Sequence, residues 1–291
     1  MGLELGIAFA FGALVAWGIG DFLIQRTTRK VGDWETLFVV TAFGVLLLSP
    51  FVYKDFATLI SFEDNTFFIL LALSVVILMA ALLDFEALRK GKLAVVEPVL
   101  ALEVPVTAFI AFILIREAID MLQVFFVALL LIGIVLVSLK SHHLVRKKWL
   151  ERGVLLAVVG AVFMGAANFL VGFASRITNP LLTNWFLNVF LMLISLFYLM
   201  TNRRTRKLVR DFSLNRKLLL TMSVFDNAAW IFIAFAATII PITIAFAISE
   251  SYVVISALLG LIVNRELLMH HQKLGIALAL SGSVALSIVT I

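Results

Sequence analysis

Three carboxylic acids, Glu103, Asp226 and Glu250, stand inside long apolar runs with no lysine or arginine at comparable depth. Ionisable side chains in lipid are costly, about 2.5–3.5 kcal/mol at mid-span on insertion scales, so they face a cavity or a partner. Withdrawn from water, a carboxyl takes up a proton more readily. The set therefore reads as a polar cavity that binds an amine or carries a proton. The other reading is packing, each acid hydrogen-bonded across a helix interface. Asn188 and Asn227 lie at similar depth, Trp230 follows Asp226 by one turn on the same helix face, and Tyr252 sets a hydroxyl beside Glu250. Trp17, Asp21 and Asn168 complete the candidate substrate or proton cavity.

A second acidic group, Asp84, Glu86 and Glu97, falls beside Arg89, Lys90 and Lys92. It reads as an interfacial salt-bridge network with side chains snorkelling to headgroups, or as a gate. Other chemistries find no residues. Cysteine is absent, and the four histidines occur as His142-His143 and His270-His271, without metalloprotease spacing. No nucleophile turn, ATP-binding motif, metal cluster or cofactor fingerprint is present in the sequence, so no catalytic residue, metal or cofactor is assigned.

The elements that must hold these acids follow from composition. Of 291 residues, 63% are hydrophobic and 14% charged, and mean hydropathy is +1.13. Soluble domains are about 45–50% apolar and about 25% charged. The solvent is lipid, and continuous apolar runs mark helices rather than alternating barrel strands. Runs at 3–24, 34–52, 66–86, 93–115, 121–140, 152–174, 181–200, 217–238, 242–263 and 271–290 predict an all-α polytopic membrane protein with ten transmembrane helices. The first run is too long, and too basic at its end, for a cleaved signal. Pro98 and Pro105 predict a kink in the fourth helix. The stripes Gly12, Ala16, Gly20 and Ala157, Ala161, Gly165 predict close helix packing.

The chain also matches itself. A shift of 149 lays Arg116-Glu117 on Arg265-Glu266, Gln123 on Gln272 and Gly133 on Gly282; a shift of 147 lays Gly18 on Gly165 and Asp21-Phe22-Leu23 on Asn168-Phe169-Leu170. Five helices per unit, an odd number, make the second unit (146–291) inverted in the membrane relative to the first (1–145). Two such units, each closing its fourth helix with Arg-Glu and carrying a Gln and a Gly in its fifth, resemble the EamA family of the drug/metabolite transporter superfamily. The likeness covers nearly the whole chain. That family usually has Gly before the Glu, where this chain has Arg116 and Arg265, and its fourth-helix proline is Pro105 in one half but Val254 in the other.

The resemblance implies ten helices around a central cavity that opens to each side in turn, carrying small metabolites such as amino acids. The expected function is a secondary active transporter, proton-coupled or not, in the plasma membrane, whose cavity is lined by helices one, three, four, six, eight and nine. A membrane-embedded enzyme or a structural, receptor-like protein is the alternative. The expected partners are the solute, protons and lipids. The net charge of +5 does not call for nucleic acid, because the bases sit in short loops beside apolar runs, where topology explains them. Of the 23 Lys and Arg, all but Lys54, Arg116 and Arg176 fall on one side. That side is expected to be cytoplasmic, with both termini outside, whereas the resembling family is usually drawn with termini inside. The basic loop at 203–217 is expected to set orientation only. Nothing in the sequence bears on oligomeric state.

Overall fold

The computed structural model describes residues 2–54, 65–116, 120–138 and 151–290. Glu117, His142-His143 and the bases at 140–148 lie outside the described residues. Twelve helices and no strand occur among the described residues: α1 (Gly2–Lys30), α2 (Asp33–Val52), α3 (Thr66–Lys90), α4 (Leu93–Leu100), α5 (Glu103–Ile115), α6 (Met121–Ser138), α7 (Val154–Ile177), α8 (Pro180–Thr201), α9 (Thr205–Ile239), α10 (Ile242–Ser249), α11 (Tyr252–Ile262) and α12 (His270–Thr290). In lipid a backbone must satisfy its own hydrogen bonds, which helices do. Eight runs are long and apolar enough to cross a membrane: α1, α2, α3, α4 with α5, α7, α8, α9, and α10 with α11. The chain is an all-helical, multi-pass membrane protein. The expected fifth and tenth spans are α6 and α12, which pack against each other.

Two spans are broken, the fourth where its prolines predict a kink and the ninth where none is expected. The fourth turns at Ala101-Leu102 and the ninth at Glu250-Ser251, positions 149 apart. At the first break Pro105 has no N–H to give to Ala101, and Val104 N bonds Ala101 O three residues back instead (3.3 Å). The second break has no proline. There the Ser249 hydroxyl takes the Phe246 carbonyl (3.0 Å), which the Glu250 N–H also uses. Each break sets a carboxylate at the bend: Glu103 opens α5, and Glu250 follows α10.

Small residues bring the helices together. Ala10, Ala13 and Ala16 of α1 are buried, and a Cβ on Gly12 would meet the Phe232 ring of α9 at 2.9 Å. In α7, Ala157 and Ala161 are fully buried, and the Gly165 carbonyl accepts the Thr107 hydroxyl of α5 (3.0 Å). Gly133 of α6 rests on the backbone of α12 at Gly275 and Ala279, where any side chain would overlap. Large apolar side chains such as Leu46, Leu155 and Phe197 cover the outer surface.

The basic ends share one face of the bundle. Arg29 of α1 donates to Arg89 O (3.1 Å) and Gly91 O (2.5 Å), Lys92 pairs with Glu151 (3.3 Å), and Gln25 joins Leu88 O (3.2 Å) to the Asn264 amide (2.8 Å). The segment 203–217, expected as a loop, is largely the first part of α9, bent at Asn215. Nor are all its bases free charge: Arg204 (2.9 Å) and Lys207 (2.8 Å) pair with Glu35, which is fully buried, and Lys207 also pairs with Asp211 (3.2 Å). At the opposite end Arg176 donates to Ala237 O (2.8 Å) and Ile240 O (2.9 Å).

Candidate functional site

A cavity of about 100 Å³ lies between the helices. It is lined from α1 by Trp17 and Asp21, from α3 by Asp84, from the first break by Glu103, from α7 by Asn168, from α9 by Asp226 and Trp230, and from the second break by Glu250 and Tyr252. These include the expected helices one, three, four, six, eight and nine. Helices two and seven join them: Thr41 and Val40 of α2, and Asn184 and Asn188 of α8, complete the wall. All eight apolar spans line the cavity, and no described side chain of α6 or α12 does.

Backbone breaks bring the deepest acids together. Asn168 donates from one amide nitrogen to Glu103 Oε2 (3.1 Å) and Glu250 Oε1 (3.4 Å), and the two carboxyls also bond to each other. Glu103 and Glu250 are buried, and Glu250 Oε2 has no partner. Asp21 is held by the Tyr252 hydroxyl. Asp226 makes no hydrogen bond or ion pair among the described residues, and it interacts electrostatically with Asp21. Trp17 packs edge-on against Trp230 with ring centroids 5.1 Å apart and, tilted, against Tyr252 at 5.8 Å. Among the described residues no Lys, Arg or His lines the cavity.

Nine of the ten expected cavity residues are on this wall. Asn227 is not. It is buried behind the wall, where its amide bonds Val40 O (3.0 Å) and Ser223 O (3.0 Å) and its oxygen accepts from Asn188 (3.3 Å), tying α9 to α2 and α8. The second acidic group is divided. Glu86 forms the expected interfacial network, pairing with Arg89 and with Lys90 (2.5 Å). Asp84 instead lines the cavity, its Oδ1 packed against Gly160 without a partner. Glu97 is fully buried with neither carboxyl oxygen bonded, and its charged neighbours are the acids Asp21, Asp84, Glu250 and Glu266.

Asn184, Thr41 and Asp84 are cavity residues that the residue reading passed over or placed elsewhere. Asn184 and Asn188 are one turn apart on α8, and that spacing was available in the sequence.

The second-half members of the paired motif, Glu266 and Gln272, make their bonds away from the cavity lining. Glu266 caps the start of α4, accepting from Leu93 N (2.9 Å) and Ala94 N (2.8 Å). Gln272 accepts from Met269 N (3.0 Å) and donates to Glu151 (3.3 Å). Arg116 and Arg265 adopt left-handed backbone, with φ of 55° and 52°, a conformation that favours glycine.

Known proteins match in the same pattern. A protein of Methanocaldococcus jannaschii described only as uncharacterized is 25% identical over 136 residues, 46% of this chain and 98% of its own. A protein of known crystal structure superposes with a TM-score of 0.65 over 98% of this chain and 96% of its own, at 13% identity, a likeness of fold alone. The EamA-like transporter family matches twice, at residues 4–139 and 151–288, so the chain belongs to that family.

Proposed function

We propose that this chain is a secondary active transporter of a small polar solute, built as two inverted five-helix repeats (1–145 and 146–291) in the plasma membrane. The observation that carries this is the cavity. It is walled by all eight apolar spans and holds five carboxyl side chains, Asp21, Asp84, Glu103, Asp226 and Glu250, with no base beside them. A packing role requires partners, and among the described residues one oxygen each of Asp84 and Glu250 has none. The duplication is supported by the two family matches, by helix breaks and left-handed arginines each 149 residues apart, and by a relative about one unit long.

In alternating access the contacts that close one face part as those of the other form. On the basic face these are the Gln25, Arg29, Glu35 and Glu266 contacts. On the other they are the Arg176 contacts and the Phe9 ring stacked on Phe232 (6.1 Å) and Phe235 (5.5 Å). A coupled proton would be taken up at the cavity carboxyls. The basic face is cytoplasmic, because Lys and Arg resist translocation.

Counterflow in proteoliposomes containing only this chain tests the reading. Solute-dependent exchange above protein-free vesicles is expected, and its loss in Glu250→Gln while folding is retained. Chemical turnover of a solute without vectorial movement would instead indicate an enzyme. For orientation, Arg210→Cys in the cysteine-free background should resist a membrane-impermeant thiol reagent in intact cells, and labelling there would reverse it.

A further inference from the structure

The hydrogen-bonding valence of the cavity wall is lopsided. Each amide nitrogen on it is already committed twice. Asn168 gives to Glu103 and Glu250, Asn184 to Pro180 O (2.8 Å) and Trp230 O (3.2 Å), and Asn188 to Asn184 O (2.9 Å) and Asn227 Oδ1 (3.3 Å). The hydroxyls are spent as well, Thr41 on Leu37 O (2.7 Å) and Tyr252 on Asp21. Among the described residues the donors left open are the indole N–H groups of Trp17 and Trp230; the rest of the open capacity is acceptor capacity. Glu250 Oε2, on a side chain 1% exposed that lines the cavity, has no partner; nor has Asp84 Oδ1, on one 6% exposed.

A ligand that satisfies such a wall brings donors and positive charge. Unpaired buried acceptors carry an unmet hydrogen-bond demand that N–H groups fill, and a cation is attracted by the carboxyls in a low-dielectric site. The Trp17, Trp230 and Tyr252 rings supply π faces for the same charge and apolar contact for its carbon chain. A ligand carboxylate meets the opposite. Among the described residues no Lys, Arg or His lines the cavity to receive it, the amide donors that would bind it are taken, and the two uncharged indole N–H groups are the donors left. Like charges brought together across a buried interface are strongly excluded.

We propose that the cavity takes a protonated organic amine that carries no carboxylate, so that an amine is accepted where the amino acid bearing the same side chain is refused. This rests on the transport reading for its passage across the membrane, though not for its binding.

The test uses the purified full-length chain and three matched pairs that differ only by the α-carboxylate: isoamylamine and leucine, cadaverine and lysine, tyramine and tyrosine. Isovalerate serves as an anionic control. Binding is read from ligand-induced shifts in melting temperature and from competition among the probes at millimolar concentration. The amine of at least one pair should bind, with its amino acid weaker by roughly tenfold or more, as a like-charge clash requires. Glu250→Gln and Asp84→Asn, each checked for a monodisperse folded state, should both weaken the amine. Binding of an amino acid or isovalerate as well as the matching amine overturns the proposal. So does inertness of all three amines, or amine binding indifferent to both substitutions. Counterflow separates the two readings: flux of an amino acid or anion leaves transport standing and refutes the amine class, whereas amine binding without flux does the reverse.

Discussion

Removing the Glu266 carboxylate should unravel the start of a helix that lies 173 positions away in the chain. The first N–H groups of a helix have no partner within it, and in α4 those of Leu93 and Ala94 are given to Glu266 at 2.9 and 2.8 Å. Those of Val95 and Val96 return to Lys92 O (3.0 and 2.9 Å). A hydrogen bond to a charged group contributes about 1.5–3 kcal/mol net. Glu266 is half-buried, so the lower end applies, and Glu266→Ala should lose about 3 kcal/mol over two bonds. Glu266→Gln keeps one acceptor and should lose about half of that. Hydrogen exchange of the Leu93 and Ala94 amides is the direct assay. Since 1.4 kcal/mol is a factor of ten, their exchange should quicken about 100-fold in the alanine variant, with a lower melting temperature. Gly260→Ala should act in the same direction, because its Cβ would come within 2.9 Å of both Ala94 N and Glu266 Oε2. If exchange of the two amides stays unchanged in Glu266→Ala, the cap has no energetic weight and the reasoning fails.

Gly160→Ala should abolish solute-dependent counterflow without unfolding the chain, because the added methyl overlaps Asp84 Oδ1 and must turn that carboxyl out of its place; wild-type flux would show that Asp84 has no part in the cavity's work. Arg265→Gly should raise the melting temperature by relieving a left-handed residue that costs about 1–2 kcal/mol, and a fall would mean that the Arg265 side chain holds something the backbone term does not outweigh. Glu97→Met removes two buried, unbonded oxygens whose burial costs about 1–3 kcal/mol; thermal denaturation should show a gain, and a marked loss would reveal a partner for Glu97.

The lipid class and the helical runs are legible because the spanning of a bilayer is written in continuous hydrophobicity, and the acids stand out against it. Depth in a run does not give direction around a helix. Asp226 and Asn227 are neighbours in sequence, about 100° apart on α9, so one faces the cavity and the other the α2–α8 interface. The same geometry divides Asp84 from Glu86 two residues on, sending one inward and the other to Arg89 and Lys90. Sequence proximity to three bases suggested one network, and only helix phase separates its members. Pro105 signals the first break, whereas the second rests on Ser249 competing for a carbonyl, a signal too common among helical serines to be read alone.

The broken helices link the Glu266 cap to the cavity acids. Span four begins at the Glu266 cap, runs eight residues as α4, and turns where Glu103 enters the cavity to meet Glu250 and Asn168. Every contact in that line joins one half of the chain to the other. A helix held at its first turn by the opposite half, and bent at the cavity, cannot shift at one end without moving the carboxyl at the other. In α1, α2 and α3 the lining residues, such as Asp21, Ile24, Leu37 and Leu88, lie nearer the helix ends at the basic face of the bundle, on the side where Glu266, Gln25 and Glu35 make their bonds. The opposite side is closed by Gly6 against Ile240 and by the Phe9, Phe232 and Phe235 rings. Under the proposed function the two closures differ in balance: ion pairs and directional polar bonds predominate on the basic face, which ions can weaken, whereas the other combines apolar packing with the Arg176 bonds to two backbone carbonyls. Rates of opening to the two sides should therefore respond unequally to salt, the basic side being the sensitive one.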